Sequence, residues 1–161
     1  MVKNILNNIN VNLYMSILIR KIKERDFENG FFETLSNLTT VGDIYSNDEL
    51  KKEIIRRVLE NQNHIIIVAE DLESSKIIGT ATLLIEQKFI HNGGRVGHIE
   101  DVATRKGYEG RGVGREMIHK LIEISNEHGC YKIILDCDPN VVKFYEKLGF
   151  VKKAITMRRD L

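Results

Sequence analysis

The sequence predicts an α/β chain of the α+β kind, in which a meander of antiparallel strands lies between helices. Three observations carry this. Residues 64–70, 76–86 and 95–103 are short runs rich in Ile, Val, Leu and Thr, joined by a turn at 71–75 and by Asn92-Gly93-Gly94, the punctuation of hairpins. Residues 46–59 and 112–128 instead repeat apolar side chains every three or four positions, the period of a helix face. The 161 residues contain one proline and neither a repeat nor a Pro-rich linker, which suits a single domain around one core.

In chain order, residues 1–15 read as an Asn-rich N-terminal extension, because Asn7, Asn8, Asn10 and Asn12 interrupt any continuous signal-type apolar run. The domain then covers 16–161. Residues 16–23 place Ile17 and Ile19 on one side of a first strand. Asp26 is positioned to cap a helix with Phe27, Phe31, Leu35 and Leu38 on one side, ending near Thr39-Thr40-Val41-Gly42. Ser46-Asn47-Asp48-Glu49 has capping-box spacing and opens a second helix. Its apolar stripe is Leu50, Ile54, Val58 and Leu59, and its other face is Lys51, Lys52, Arg56 and Arg57. After the meander come a helix over 112–128, a strand over 132–137, a short helix over 139–148 stopped by Gly149, and a last strand over 150–157.

Composition excludes several function classes. Lys plus Arg number 24 against 23 Asp plus Glu, so the chain lacks the positive field that collects nucleic-acid phosphates, and no nucleic-acid partner is expected. No apolar run approaches the roughly 20 residues a bilayer span requires. Cys130 and Cys137 have neither disulfide-scaffold numbers nor metal spacing, and read as free thiols in a reducing, cytoplasmic setting. The five histidines do not cluster with ligand spacing, so no metal is expected.

The segment Glu109-Gly110-Arg111-Gly112-Val113-Gly114-Arg115 lies between a strand and the long helix. Glycines allow positive φ and close backbone approach, and the free amides of a helix start bind anions without cationic side chains. A dinucleotide fingerprint would need glycine at Arg115, and a Walker loop would need Gly-Lys-Ser/Thr at Gly114-Arg115-Glu116, so neither fits. From spacing alone, a glycine-rich turn without a ligand stays open.

These residues resemble the GNAT superfamily of acetyl-CoA-dependent N-acetyltransferases. Glu109 to Gly114 follow its Gln/Arg-x-x-Gly-x-Gly/Ala motif, with Glu where Gln or Arg is usual, and Phe144-Tyr145-Glu146-Lys147-Leu148-Gly149-Phe150 follows its Phe-Tyr-x-x-x-Gly-Phe ending. Four further segments are similar to the eukaryotic glucosamine 6-phosphate N-acetyltransferases: 38–42, 86–91, 98–103 and 129–138. The resemblance implies a GNAT fold with a mixed, mostly antiparallel twisted sheet, and transfer of an acetyl group from acetyl-CoA to the amine of glucosamine 6-phosphate. It also implies a homodimer in which each site borrows residues from the partner's C-terminal segment.

Direct attack of an amine on a thioester needs a bound amine, a route for its proton, a stabilised oxyanion and a protonated leaving thiolate. The resemblance assigns Tyr145 as the acid for the thiolate and Glu100 and Asp101 to the amino sugar, with Glu100 also a candidate base. Strict alternation puts His98, Glu100 and Val102 on one face and Ile99, Asp101 and Ala103 on the other, whereas a bulge would expose successive residues. It implies further that acetyl-CoA meets Asp101, Val102, Ala103, the loop from Glu109 to Arg115 (Gly110, Arg111, Gly112, Val113 and Gly114 between them), Asn140 and Tyr145. Thr39, Lys88, Phe89, Ile90, His91 and Asp136 are implied for the sugar phosphate, with Arg159 or Arg158 for its phosphate. A GNAT enzyme for a peptide or polyamine amine, and a non-catalytic acetyl-CoA-binding domain, are the alternatives.

Overall fold

A computed structural model describes residues 16–161, so the expected extension at 1–15 lies outside the described residues. Five strands form one sheet in the order β1-β2-β3-β4-β5: Ile17–Lys21, His64–Asp71, Lys76–Gln87, Arg95–Thr104 and Cys130–Leu135. The first three pairings are antiparallel, and β4 with β5 is parallel.

Strand alternation divides the interior in two. Ile65, Ile67 and Ala69 of β2 meet α4 (Val113–Glu127) on one face, while Ile66 and Val68 meet Phe27, Phe31 and Phe32 on the other. Val113, Met117, Ile118 and Leu121 of α4 are fully buried. The helix lies so close to the sheet that a Cβ on Gly79 would stand 2.7 Å from Val113 Cγ1 and 2.9 Å from the Met117 sulfur. The second face carries α1 (Phe31–Leu35) and α2 (Asp48–Glu60), and α2 buries no residue.

Several expected boundaries are corrected. The first helix is broken into a 3-10 turn at Glu24–Glu28 and α1, because Gly30 takes φ +97° between them. Asp26 is not a cap. Its buried carboxylate accepts from Arg20 Nη1 and Nη2 at 2.6 and 2.8 Å and from the Lys23 N–H at 2.7 Å, while Arg20 Nε donates to Glu70 at 2.8 Å. Asn47 rather than Ser46 caps α2, its Oδ1 accepting from the Leu50 N–H at 3.0 Å. The β3–β4 connection holds a single turn, α3 (Ile90–Gly93), with His91 and Asn92 left-handed. The helix over 139–148 resolves into a 3-10 turn, Pro139–Val141, and α5 (Val142–Glu146).

The last strand, over 150–157, does not form. Val151, Ile155 and Met157 keep the one-sided alternation of a strand but are 77%, 88% and 90% exposed, because no strand among the described residues pairs with them. Thr156 Oγ1 donating to Asp136 Oδ1 at 2.6 Å ties the segment back.

Candidate active site

The pairing of β4 with β5 ends at Ile99 with Leu135. Beyond it β4 continues to Thr104, and its neighbour leaves as Asp136-Cys137. Sheet edges with free N–H and C=O groups therefore face a split at this end.

A bulge sits at the split. Thr82 pairs with Glu100 and Thr80 with Ala103, so Asp101 and Val102 together oppose Ala81, and Asp101 has φ +50°. Strict alternation is thereby broken. Ile99 and Val102 both pack against the α4-face core, three positions apart, while Asp101 is displaced onto the opposite face and lines a cavity there. Both Glu100 and Asp101 are exposed. Partial burial, then Asp101 and Asp136, push the Glu100 carboxyl above the ordinary glutamate value. A cationic amine entering this set of carboxylates is attracted, and a carboxylate that holds its proton more tightly is a better acceptor for the amine's proton.

Tyr145 lies on α5, 9% exposed, with its ring 4.9 Å from Phe144 and 5.9 Å from Phe150. Burial, and secondarily Cys137, push its phenol above the usual tyrosine value, so it stays protonated and able to donate. Phe144 closes the gap to the glycine loop: a Cβ on Gly114 would stand 3.5 Å from its ring and 3.9 Å from Thr104 Oγ1. The first turn of α4 is thus wedged between the end of β4 and the helix that carries Tyr145.

The loop itself is shaped by Gly107, Gly110 and Gly112 at φ +88°, +73° and +87°. Gly112 is the N-cap of the 15-residue α4 and brings no side-chain cap. The amides of the first turn, at Val113, Gly114 and Arg115, therefore have no acceptor within the helix. A Cβ on Gly110 would meet nothing within 4 Å, so there is room for a ligand above the loop. These features fit the pyrophosphate of acetyl-CoA, held by backbone amides and the helix dipole. Arg111 stacks 5.1 Å from the Tyr108 ring centre, and Arg115 Nε donates to Glu116 at 3.0 Å. Glu109 faces inward to the loop: Oε2 accepts the Gly107 N–H at 2.6 Å and Oε1 accepts Asn37 Nδ2 at 3.1 Å. Its own backbone N–H, with that of Gly107 and the side-chain amide of Asn37, holds the carboxyl below the ordinary glutamate range.

On the α1–α2 face the cavity measures about 300 Å³ and is apolar except for Thr39, Thr40, His64, Thr80, Thr82 and Asp101. It brings Thr39 and Asp101, two expected site residues, to one space. Lys88 pairs with Glu86, whose other oxygen is 2.8 Å from His98 Nε2. Phe89 and Ile90 are exposed, and His91 stacks on Tyr131 with ring centres 4.4 Å apart. Asn140 stands on the 3-10 turn before α5, its N–H bonded to Asp138 at 2.8 Å. Arg158 Nε donates to Asp160 at 2.7 Å, and Arg159 is exposed. No hydrogen bond or ion pair joins Thr39, Lys88, His91 and Arg159 to one another. Asn37 was not among the expected residues; its contacts span 67 and 72 positions, which no local pattern displays. Among the described residues no group of three His, Cys, Asp or Glu is placed to hold a metal ion.

Residues 35–150 match the model of the Acetyltransferase (GNAT) family. The chain is 40% identical over 144 residues to a probable glucosamine 6-phosphate N-acetyltransferase 2 of Oryza sativa, covering 88% of this chain and 86% of that one. It is 37% identical over 141 residues to glucosamine 6-phosphate N-acetyltransferase 1 of Dictyostelium discoideum, covering 88% of each. The fold superposes on the crystal structure of glucosamine-6-phosphate N-acetyltransferase from Arabidopsis thaliana with a TM-score of 0.85 at 36% identity, covering 90% of this chain and 98% of that one. With more than half its length matched, and with the split sheet, the bulge and the glycine loop in place, the chain belongs to the GNAT family of acetyltransferases.

Proposed function

We propose that this protein transfers the acetyl group of acetyl-CoA to the 2-amino group of glucosamine 6-phosphate, giving N-acetylglucosamine 6-phosphate and CoA. The observation that carries this reading is the bulge at Asp101, which turns two consecutive acids onto the acceptor face at the mouth of the split. The relatives named for this reaction support the choice of acceptor.

Acetyl-CoA supplies an acyl group activated as a thioester, open to direct attack by an amine. The chain's own residues do the rest. Glu100 and Asp101 hold the ammonium form by charge, and Glu100, directly or through water, takes one proton so that the neutral amine attacks the thioester carbon; the second nitrogen proton leaves as the tetrahedral intermediate collapses and restores the Tyr145 phenol. The amides at Gly112 to Arg115 anchor the pyrophosphate, and the exposed edge of β4 at Val102 and Ala103 offers backbone groups to the adjoining amide arm. As the C–S bond breaks, Tyr145 donates its phenolic proton to the thiolate. Asp136 accepts sugar hydroxyls, and Thr39, Lys88, His91 and Arg159, with Arg158 as the alternative arginine, surround the phosphate.

The phosphate set is completed by a second copy of the chain. The alternating, exposed Val151, Ile155 and Met157 suit a strand added to another copy's sheet, which would carry Arg158 and Arg159 to that copy's site. Sedimentation equilibrium is expected to give a dimer; a monomer at assay concentration overturns this part. Among the described residues no helix is long and apolar enough to cross a membrane. The reading places the chain in the cytoplasm, where its two thiols stay reduced.

The deciding experiment follows free thiol release from acetyl-CoA with glucosamine 6-phosphate, a peptide amine or a polyamine as acceptor. Release with the sugar phosphate alone is expected. Release only with a peptide or polyamine overturns the acceptor, and no release with any amine, despite acetyl-CoA binding, leaves a silent binding domain.

A further inference from the structure

Asn37 lies just past the end of α1, two residues before Thr39. Its side-chain amide leaves the acceptor face and reaches the cofactor side, donating to the Thr104 carbonyl at 2.7 Å and to Glu109 Oε1 at 3.1 Å. The second Glu109 oxygen accepts the Gly107 N–H at 2.6 Å, so one carboxylate closes the turn at 107–109 and fastens it to Asn37. Thr104, whose carbonyl takes the other Asn37 bond, has its hydroxyl 3.9 Å from where a Gly114 Cβ would stand. A negative charge beside an anion-binding loop works against its ligand unless the charge serves another purpose. Here both carboxylate oxygens are spent on internal donors.

We propose that Asn37 and Glu109 form a latch between the acceptor segment and the pyrophosphate loop, so that each positions the other site's residues. Glu109 is then a positioning residue and not a ligand of acetyl-CoA. Asn37 sets Thr39 against Asp101 while holding the end of β4 and the start of the loop. Neither residue touches a reacting atom, and the inference rests on the acetyl-transfer reading above.

The test is steady-state kinetics of Asn37→Ala, Glu109→Ala and the double variant, varying acetyl-CoA and glucosamine 6-phosphate in turn. The latch predicts crossed effects. Each single change raises KM for both substrates about fourfold, the size expected for one or two lost hydrogen bonds, with kcat within about twofold. The double variant is no worse than the worse single one, because both remove the same link. Glu109→Gln separates the two roles most directly. A side chain serving as a pyrophosphate ligand improves when its charge is replaced by an amide donor, so KM for acetyl-CoA falls. A latch weakens, since one amide oxygen cannot serve both donors, and both KM values rise.

Additive losses, effects confined to the substrate on the mutated side, or tighter acetyl-CoA with Glu109→Gln each overturn the latch. A variant too unstable to assay is replaced by the isosteric Glu109→Gln, read by calorimetric binding of CoA and of sugar phosphate separately. A wild-type chain that acetylates neither the sugar phosphate nor another amine removes the acetyl-transfer reading and the latch with it. Normal wild-type turnover with unmoved KM values in the variants removes the latch alone.

Discussion

The two faces of the sheet are held in different ways. The α4 face is dry and close-packed: Val113, Met117, Ile118 and Leu121 are fully buried, and Gly79 lets the helix approach to van der Waals contact. The α1–α2 face contains a cavity of about 300 Å³, a helix without a buried residue, and a buried ion pair, Arg20–Asp26, in place of part of its apolar packing. The first face carries the glycine loop and abuts Tyr145, whose ring packs against the same core. The second holds the cavity lined by Thr39 and Asp101, where the proposed acceptor would enter. A backbone-built anion site needs a helix fixed to fractions of an ångström, whereas an acceptor pocket needs volume and access.

Substitutions on the two faces test that contrast. Leu121→Ala opens a cavity under α4 and is expected to cost about 4 kcal/mol in chemical denaturation, because the close-packed face cannot collapse around it. Asp26→Asn, on the looser face, removes one partner of a buried pair and should cost about 3 kcal/mol. Burial alone would raise the Asp26 carboxyl, but the hydrogen bonds from Arg20 and the Lys23 N–H outweigh it and hold the group below its ordinary value. Stability from this pair is therefore present above the unfolded carboxyl's pKa near 3.8 and lost as pH falls toward the lower folded value. Asp26→Asn should flatten the acid side of a stability-versus-pH curve, and an unchanged slope would mean that Asp26 is not the group responsible.

Tyr145→Phe keeps the packing and removes the donated proton, so kcat should fall about 100-fold with little change in KM for acetyl-CoA. A rate within threefold of wild type takes Tyr145 out of the mechanism. Arg159→Ala is expected to raise KM for the sugar phosphate about tenfold and to lessen its dependence on salt, leaving acetyl-CoA unaffected. If Arg158→Ala does this instead, the two arginines exchange roles. Smallest is Val58→Ala, on the half-buried side of α2, at under about 1 kcal/mol by thermal unfolding. A loss as large as that of Leu121→Ala would erase the difference between the faces.

Much of this was legible in the sequence because it rests on local patterns. The apolar runs at 64–70 and 76–86, the period of α4 and the glycines before it are each written within a dozen residues. Misread features depend on distant groups. Asp26 has the chemistry of a cap, yet most of its bonding is to Arg20, six positions back on the first strand, which also pairs with Glu70 on the second. Residues 150–157 carry a strand's alternation, but a strand is a pairing, and among the described residues no strand pairs with them. The bulge left a choice between two facings of Asp101, which only the register with Thr80 and Thr82 decides. Asn37 was invisible for the same reason, since its bonds reach Thr104 and Glu109.

The extra residue in β4 has a further meaning for how this protein tolerates change. Before the bulge, odd-numbered Ile99 faces the α4 core; after it, even-numbered Val102 does. A substitution at Asp101 alters one side chain, whereas deleting that position would restore unbroken alternation with Val102, Ala103 and Thr104 still on the faces they now occupy, removing only the acid that the bulge turns toward the cavity. Val102 would stay in the core beside Ile99, and the Thr104 hydroxyl would stay near Gly114. One inserted residue thus sets a second acid beside Glu100 without turning over any core-facing side chain of the strand.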